Sequence, residues 1–376
     1  MSRETTALVL REVNGPFTLE PIKVDALKSH EVLVEIHAVG LCHTDLSCDT
    51  DLSCATGVLP AVTPAVFGHE GAGVVVEMGS EVDEASVGDK VLLSYAFCNN
   101  CKQCKAGRAP YCDSMMPLNF GGLRDDGSSG LALNDGSALR AHFFGQSSFS
   151  RLAVVHRKCI VKVPQDTPLD LFAPLGCGLQ TGAGSILNTL NVQEGSTVAI
   201  FGVGSVGLSA IMAARIRKAK EIIAVDIQPS RLELAKQLGA TSTVNSAEVD
   251  ALQEIRRIVP PSGVHYALDC SGVLKVIETM VDSLGPCGRA CSAGAPTPGK
   301  RASIDVFSHL VMGKEYVGCH QGGSIAKEMI PYLIDQHNKG QYPLEKLIVN
   351  YDIQDFERAI KDTKSGSTIK AVLKWT

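Results

Sequence analysis

The sequence predicts an α/β protein with two domains, one mainly β and one built on a doubly wound parallel sheet. Its 376 residues are enough for two domains, and 45% hydrophobic with 20% charged residues is an ordinary globular composition. The first third contains short apolar segments broken by Gly, Pro and Asp, which is typical of β structure. After about Gly182, apolar strands alternate with helical segments, which is the pattern of βαβ units.

The predicted strands of the first domain are short and apolar. They include EVLVEIHAVG from Glu31 to Gly40, GAGVVVEMG and DKVLLSYAF. Between Gly121 and Gly136 the chain becomes polar and rich in glycine, which predicts an irregular surface loop. Beyond residue 320 there are two helical stretches and the strand IKAVLKW, and we expect this segment to return to the first domain.

Four cysteines lie close together in the run CNNCKQCKAGRAPYC, and they are Cys98, Cys101, Cys104 and Cys112. Two gaps of two residues and one of seven let four thiolates converge on one tetrahedral zinc ion at about 2.3 Å. Because every position would be sulfur, such a site holds a loop in shape and leaves no place for substrate. The alternative is four unrelated cysteines or two disulfides, and disulfides are rare in a reducing compartment.

A glycine-rich turn predicts a dinucleotide site in the second domain. It follows the apolar strand STVAIF, opens a helical stretch, and comprises Gly202, Val203, Gly204, Ser205, Val206 and Gly207. In this GxGxxG pattern the first glycine permits a tight turn, the second admits a pyrophosphate, and the third lets helix pack on strand. The helix N-terminus offers free N–H groups to the phosphates. We therefore predict a Rossmann domain; a glycine-rich turn without a ligand is the alternative.

Asp226 ends the next predicted strand, 19 residues after Gly207. A carboxylate there can accept hydrogen bonds from both ribose hydroxyls and would repel a 2′-phosphate, so it favours NAD over NADP. Arg231, shortly after it, is a further candidate for cofactor binding. A solvated aspartate is the alternative reading of Asp226.

Cys42, His69 and Cys177 are candidates for a second metal site. Each is weak alone, because a single cysteine is most often a buried apolar residue and a single histidine is more often structural. They lie in GLCHTD, FGHEGAG and PLGCGLQTGAG. Two thiolates and one imidazole would leave a fourth position for water or substrate, which is the pattern of catalytic zinc.

These motifs, with LNFGG, HFFGQSSFS, GVGSVGLSA and IIAVD, occur in order over essentially the whole chain. On them the sequence resembles the zinc-dependent medium-chain alcohol dehydrogenases and is most similar to the aryl-alcohol (benzyl alcohol) branch. The resemblance implies a GroES-like catalytic domain over residues 1–180 that carries a structural zinc lobe. It implies a dinucleotide-binding domain over 181–320 and a C-terminal return to the catalytic domain over 321–376.

The resemblance also implies an activity, namely hydride transfer between NAD(H) and an alcohol/aldehyde pair, with two zinc ions per chain and aromatic or bulky primary alcohols as substrates. Cys42, His69 and Cys177 match the catalytic zinc ligands. Glu70 matches an acid that can approach the metal. The alternatives are secondary alcohols, polyols or a thiol adduct of formaldehyde as substrates, and a non-catalytic dinucleotide-binding protein.

Other roles come from the resemblance position by position. Asp45 matches the carboxylate that orients the ligand histidine, and Thr44 matches the hydroxyl that hydrogen-bonds the substrate oxygen. His43 and Lys370 match positions that approach the pyrophosphate. The alternatives are a helix N-cap and a solvated turn for Thr44 and Asp45, and plain surface positions for His43 and Lys370.

The chain departs from the family pattern just after Thr44. Many relatives pass the alcohol proton to a histidine three residues further on, and here that position is Ser47. Ser47 lies in a six-residue tandem duplication, HTDLSC followed by DTDLSC, which runs from His43 to Cys54 and lengthens the loop. We expect the proton to leave through water or a residue of this loop, and we expect substrate preference to be altered.

The net charge and the lengths of the apolar runs restrict the partners and the cellular location that we expect. A net charge of −5 argues against a nucleic-acid partner. The start of the chain has no signal-peptide pattern, and no apolar run reaches membrane-spanning length. We therefore predict a cytoplasmic enzyme with a small-molecule substrate, no nucleic-acid or membrane partner, and a homo-oligomeric state, either dimer or tetramer.

Overall fold

The structure is a computed structural model that describes residues 3–47 and 62–375. The chain divides into two compact units, which comprise Met1–Cys177 with Ile325–Ile334 and Glu345–Thr376, and Gly178–Ser324 with Asp335–Leu344. Compactness assigns no function, so the functional division over residues 1–180, 181–320 and 321–376 stays a prediction. Within the described ranges, no helix has the length and apolar character that crossing a membrane requires.

Strands supply most of the ordered backbone of the first unit and the centre of the second. In chain order they are β1 (Arg3–Leu10), β2 (Phe17–Val24), β3 (Glu31–Gly40), β4 (Ala65–Val66), β5 (Gly71–Met78), β6 (Lys90–Leu93), β7 (Leu131–Leu133), β8 (Leu152–His156), β9 (Ile160–Lys162), β10 (Thr197–Phe201), β11 (Glu221–Asp226), β12 (Ser242–Asn245), β13 (Val264–Asp269), β14 (Leu284–Ser292), β15 (Glu315–Gly318), β16 (Ile348–Asp352) and β17 (Lys370–Lys374).

The helices are short in the first half of the chain, and most of those from residue 205 onward are longer. In chain order they are α1 (His43–Ser47), α2 (Lys102–Lys105), α3 (Met115–Phe120), α4 (Leu169–Phe172), α5 (Gly178–Gly184), α6 (Ser205–Ile216), α7 (Pro229–Leu238), α8 (Ala251–Ile258), α9 (Leu274–Asp282), α10 (Val306–Met312), α11 (Ala326–Asn338) and α12 (Phe356–Ser365).

The first unit is organised around β3, the strand predicted from EVLVEIHAVG. It pairs antiparallel with β5 and also with β8 and β17, so its apolar side chains are buried. The sheet around it has the order β16-β17-β3-β5-β6-β9, and a second sheet has the order β4-β1-β2-β7. Because β17 pairs with β3, the strand predicted near the C-terminus lies in the sheet of the first unit.

The glycine-rich loop over residues 121–136 is less irregular than its composition predicts. It contains the short strand β7, which pairs with β2. Arg124 within it is only 5% exposed and donates from Nε and Nη2 to the carboxylate of Glu31, at 2.7 Å each. A buried ion pair therefore fastens this loop to the start of β3.

The second unit holds a six-stranded parallel sheet with the order β12-β11-β10-β13-β14-β15. Its central strands β10 and β11 are almost wholly buried, which explains their continuous apolar sequence. The strand order reverses between β10 and β13, and ligands of doubly wound sheets bind at the carboxyl ends of strands at such a point. This confirms the predicted Rossmann architecture.

Candidate metal and cofactor sites

The sulfur atoms of Cys98, Cys101, Cys104 and Cys112 converge in a small lobe of the first unit. All four lie within 4.8 Å of one another. The Sγ atoms of Cys98 and Cys104 are 3.9 Å apart, close to the edge of about 3.8 Å that a tetrahedron with Zn–S bonds of about 2.3 Å would have. The chemistry and spacing of these donors fit a closed zinc site, and no disulfide joins the cysteines that the structure describes.

Backbone N–H groups of the same lobe point at these sulfur atoms. Cys101 N donates to Cys98 Sγ at 3.3 Å, and Cys98 N donates to Cys112 Sγ at 3.3 Å. The N–H of Asn100 lowers the pKa of Cys98 to about 6, which favours the thiolate that a metal requires. Burial raises the pKa of Cys104 to about 12. A bound ion would have to deprotonate that thiol.

A second group of possible ligands forms from distant segments. Cys42 follows β3, His69 lies between β4 and β5, and Cys177 lies before α5. Their ligand atoms and a carboxylate oxygen of Glu70 all lie within 4.8 Å of one another. His69, Glu70 and Cys177 are buried, and Cys42 is partly buried. The structure therefore brings together all three ligands that the sequence indicated.

Asp45 is the residue that orients this group. Its Oδ1 atom lies 2.8 Å from Nδ1 of His69, and its Oδ2 accepts from the backbone N–H of Cys42 at 3.0 Å. Asp45 is fully buried. The hydrogen bond commits Nδ1, so Nε2 is the nitrogen left to bind a metal. That Nε2 atom is buried and has no hydrogen-bond partner within residues 3–47 and 62–375.

The electrostatics of this second site favour a cation. Burial alone would lower the pKa of His69, but the carboxylate of Asp45 and the sulfur of Cys42 raise it well above its usual value. The hydrogen bond from Cys177 and the charge of His69 lower the pKa of Cys42 well below its usual value, although burial opposes this. The negative charges that stabilise a proton on Nε2 of His69 would also stabilise a metal ion at that position. The donor set therefore fits zinc with one open position.

Glu70 and Lys370 form a buried ion pair beside these ligands. Lys370, only 2% exposed, donates from Nζ to Oε1 of Glu70 at 2.8 Å and to the carbonyl of Leu41 at 3.1 Å. Burial raises the pKa of Glu70 to about 7, while the ammonium of Lys370 opposes the shift. A Cβ at Gly40 would lie 2.0 Å from Oε2 of Glu70, so only glycine leaves room for this carboxylate. The expected contact of Lys370 with a pyrophosphate stays a prediction.

The remaining residues predicted near the second site lie in α1. Thr44 places Oγ1 3.7 Å from Sγ of Cys42, which donates to it. His43 is exposed on the same helix. Ser47 ends α1, and the second copy of the duplicated segment, residues 49–54, lies outside the described residues. The proton route therefore stays a prediction.

Two aromatic side chains contact His69, and the sequence had indicated no role for them. The ring of Phe144 stacks on the imidazole with centroids 4.4 Å apart, and Phe143 meets it edge-on at 5.5 Å. Gln146 in the same turn donates from Nε2 to the carbonyl of His69 at 3.0 Å. Phenylalanine carries no metal-binding chemistry, so the only signal was the polar Gly-Gln-Ser run between aromatic residues in HFFGQSSFS.

The glycine-rich turn of the second unit has the geometry of a dinucleotide site. Gly202 follows β10 with φ +82°, and Gly204 precedes α6. A Cβ at Gly204 would meet no atom within 4 Å, so the surface there is open for a ligand. A Cβ at Gly207 would lie 2.2 Å from the carbonyl oxygen of Gly202, which explains the third glycine. Ser205 and Val206 already lie in the first turn of α6, so the helix begins inside the glycine motif rather than after it.

Asp226 lies at the end of β11 beside this turn. Its carboxylate accepts from the backbone N–H groups of Val203, Ile227 and Gln228 at 2.7, 2.8 and 2.9 Å. Arg231 places Nη1 3.9 Å from Oδ2 of Asp226. The structure thus brings together the glycine turn, Asp226 and Arg231. Two features fit a dinucleotide, namely the N–H groups at the N-terminus of α6 and the open surface at Gly204.

Comparison with protein-family models identifies both parts of the chain. Residues 28–165 match the alcohol dehydrogenase GroES-like domain, and residues 205–337 match the zinc-binding dehydrogenase domain. The chain therefore belongs to the zinc-dependent alcohol dehydrogenases, a family of oxidoreductases.

Individual relatives extend over nearly the whole chain. Geraniol dehydrogenase from Castellaniella defragrans is 37% identical over 98% of this chain and 96% of its own length. S-(hydroxymethyl)glutathione dehydrogenase from Saccharomyces cerevisiae is 34% identical over 98% of this chain and 95% of its own. The crystal structure of benzyl alcohol dehydrogenase from Acinetobacter calcoaceticus has a TM-score of 0.94 at 38% identity and covers 100% of both chains.

Proposed function

We propose that this protein is an NAD-dependent alcohol dehydrogenase and aldehyde reductase that acts on aromatic or other bulky primary alcohols. The observation that carries the proposal is the Cys42, His69 and Cys177 donor set, buried and oriented by Asp45. The substrate class is supported by relatives named for benzyl alcohol and geraniol, both bulky primary alcohols.

The residues of the second site would have different roles in the proposed reaction. A zinc ion held by Cys42, His69 and Cys177 would supply a Lewis acid that polarises the substrate oxygen. The hydroxyl of Thr44, near Cys42 Sγ, would hydrogen-bond that oxygen and exchange its proton. Asp45 would keep the imidazole in the tautomer with Nε2 free.

Glu70 and Lys370 would adjust the charge beside the metal. Their ion pair is buried, so the carboxylate is partly neutralised and held back from the ligands by the ammonium. We keep Glu70 as an acid that can approach the metal, since its carboxylate oxygen already lies within 4.8 Å of the other ligand atoms.

A metal count and a substrate panel test the proposed function. Purified protein should contain two zinc ions per chain and should turn over benzyl alcohol and geraniol with NAD, and the matching aldehydes with NADH. Ethanol and a secondary alcohol should be poorer substrates. A protein that binds NADH but turns over none of these would be the non-catalytic alternative, and the proposal would fail.

A thiol adduct of formaldehyde is the second candidate substrate, because a relative at 34% identity is named for S-(hydroxymethyl)glutathione. We place it second because benzyl alcohol dehydrogenase is more similar to this chain, at 38% identity. The panel should therefore include S-(hydroxymethyl)glutathione, and a kcat/KM for it above that for benzyl alcohol would reverse the order.

The preference for NAD is a separate part of the proposal. The Asp226 carboxylate is fixed by three backbone N–H groups and would repel a 2′-phosphate on the cofactor. We expect kcat/KM to favour NAD by at least ~100-fold, on the order of 3 kcal/mol. Asp226→Ser should narrow this gap, and so should Asp226→Asn, which removes the charge but keeps an acceptor. Equal use of both cofactors by the parent would contradict the proposal.

The proposed homo-oligomer has a surface that would suit it. On α10, the side chains of Val306, Phe307 and Leu310 are 74%, 73% and 76% exposed, and β15 is the last strand of its sheet. A second copy would cover these apolar side chains. Leu310→Asp should lower the mass in solution measured by light scattering, whereas Val87→Asp, at an exposed valine of the first unit, should leave it unchanged.

The proposed cytoplasmic location follows from the thiol chemistry. Six cysteines would have to stay reduced to bind two zinc ions, and a reducing compartment keeps them so. Cell fractionation of the source organism would test this placement.

A further inference from the structure

We infer that Phe144 is a positioning residue of the second site, whose ring fixes the plane of the His69 imidazole and thereby the direction of Nε2. The inference rests on the proposed function, because it requires zinc at Cys42, His69 and Cys177. The proposed role of Phe144 is exerted through its contact with His69.

The contact between the two rings is close and nearly parallel. The centroids of Phe144 and His69 are 4.4 Å apart, and their planes differ by 24°. Phe143 adds an edge contact at 5.5 Å with an angle of 79°. Both phenylalanines and His69 are buried. The imidazole is therefore held on one face by a flat surface and on another side by a ring edge.

Asp45 and Phe144 restrain different motions of the imidazole. The hydrogen bond from Nδ1 to Asp45 fixes where that nitrogen points, but it tolerates tilting within the usual range of angles. The χ2 torsion of histidine is broad, so the ring plane is not set by its own covalent structure. A ring stacked on the face of the imidazole opposes rotation about χ2 directly, because any tilt pushes atoms into it.

The backbone at Phe144 shows that its position is imposed by the surroundings. Phe144 has φ +52° and ψ +30°, in the left-handed region that bulky residues rarely adopt. Such a conformation persists only where neighbouring contacts over-determine it, and it concentrates at functional sites. A relaxed backbone would carry this ring elsewhere.

The turn that carries Phe144 is fastened to the segment that carries His69. Ser147 accepts from the N–H of Phe143 at 2.9 Å and donates from Oγ to the carbonyl of Val66 at 2.7 Å. Gln146 donates to the carbonyl of His69 at 3.0 Å and accepts from the N–H of Gly71 at 3.2 Å. These bonds lie on both sides of His69 along the chain, so the two rings are held as one unit.

The stacked ring should favour the metal-loaded state over the empty one. A zinc ion needs Nε2 to point at the position that the two thiolates also reach, whereas a proton on Nε2 needs no such direction, so a ring that fixes the imidazole plane favours the loaded state. A ring that only filled space would stabilise both states equally. The two roles therefore differ in metal retention, which can be measured without any substrate.

The rate of zinc release separates the two roles. Phe144→Leu should release the second-site zinc to a chelator about 10-fold faster than the parent, as expected for loss of a partner that orients a metal ligand. Phe120→Leu is the matched control, since Phe120 contacts the rings of Phe143 and Phe144 at 5.8 and 5.1 Å in the same cluster. It should release zinc at the parent rate.

Cobalt substitution at the second site gives a spectroscopic readout of ligand geometry. The visible absorption of the cobalt form should shift in Phe144→Leu and stay unchanged in Phe120→Leu. Equal release rates in parent and Phe144→Leu, or equal acceleration in Phe144→Leu and Phe120→Leu, would reduce Phe144 to a packing residue and overturn the inference.

A crystal structure of the unmutated protein after zinc removal tests the same idea if Phe144→Leu does not fold. The plane of the His69 ring should be unchanged in the empty site, because the stacked ring of Phe144 holds it. A rotated imidazole would overturn the inference.

The zinc content of the unmutated protein is measured first. A parent whose second site holds no zinc would refute the proposed function itself, whereas zinc at that site with parent-like release from Phe144→Leu would refute only the role of Phe144.

Discussion

The two candidate zinc sites are built in opposite ways. The four-cysteine site takes all its ligands from the single run Cys98 to Cys112 and orients them with backbone N–H groups of that run. The second site gathers Cys42, His69 and Cys177 from separate segments and orients them with side chains, chiefly Asp45. The first geometry is a property of one loop, whereas the second is a property of the whole unit.

This difference predicts what each metal does for the protein. A loop of short helices and turns has little core of its own, so its shape depends on the ion. The second site sits among buried strands and aromatic rings, so we expect it to keep its shape when the metal is removed. Loss of the first ion should therefore cost stability, and loss of the second should cost activity.

The largest expected effect is on turnover by second-site variants. Cys177→Ser or His69→Ala should lower kcat/KM at least ~1,000-fold, on the order of 4 kcal/mol, because the Lewis acid is lost. The protein should stay folded and should bind NADH like the parent. Steady-state kinetics, circular dichroism and NADH fluorescence titration would check this, and near-normal turnover by Cys177→Ser would remove the catalytic-zinc assignment.

The next effect is on stability, at the four-cysteine site. Cys101→Ser should lower the zinc content from two to one per chain and reduce the free energy of unfolding by at least ~3 kcal/mol. Cys101 is chosen because its Sγ also accepts from the N–H groups of Cys104 and Asp113 at 3.5 Å each. Chemical denaturation with metal analysis measures both. If stability were unchanged and turnover abolished, the roles of the two sites would be reversed.

The same contrast explains how much the sequence could predict. The spacing of Cys98, Cys101, Cys104 and Cys112 is local, so it predicted convergent sulfur atoms from chain geometry alone. The Rossmann sheet was also predictable, because the turn from Gly202 to Gly207 and the alternating elements after it are local signals. For the second site, residue types suggested candidates, but only the family resemblance joined Cys42 and Cys177 across so much chain.

Some contacts had no usable signal in the sequence. A bulky Phe144 at positive φ contradicts its own backbone preference, and tertiary bonds of Gln146 and Ser147 and of the Phe144 carbonyl with Cys159 hold it there. The buried pair of Lys370 with Glu70 joins residues at opposite ends of the chain. This second contact depends on the pairing of β17 with β3; the sequence indicated that the C-terminal strand returns to the first domain but not which strand it joins.

A smaller effect is expected at Asp45, which tests whether side chains orient the second site. Asp45→Asn keeps the size of the side chain but removes the charge opposite His69 Nδ1 and weakens the acceptor for Cys42 N. Affinity for the second zinc should fall by about 10- to 100-fold, as for other partners that orient metal ligands. Competition with a chelator of known affinity measures it. Unchanged affinity would mean that the buried core alone orients the imidazole.

The smallest effect tests whether the four-cysteine lobe depends on the rest of its unit at all. Lys158 donates from Nζ to the carbonyl of Cys98 at 2.7 Å and so links the lobe to the segment after β8. Lys158→Met keeps most of the aliphatic stem and removes this bond, which should lower the free energy of unfolding by about 1 kcal/mol. Lys162→Met is the matched control, because its lysine pairs with Asp89 while 54% exposed. Exposed ion pairs of that kind contribute about 0–1 kcal/mol to stability.

Zinc content should stay at two per chain and turnover should be unchanged in both variants. Denaturation, metal analysis and steady-state kinetics measure these three properties. A loss of zinc from Lys158→Met would show that the four-cysteine site depends on contacts outside its own run of residues. The two zinc sites would then differ less than their ligand positions suggest.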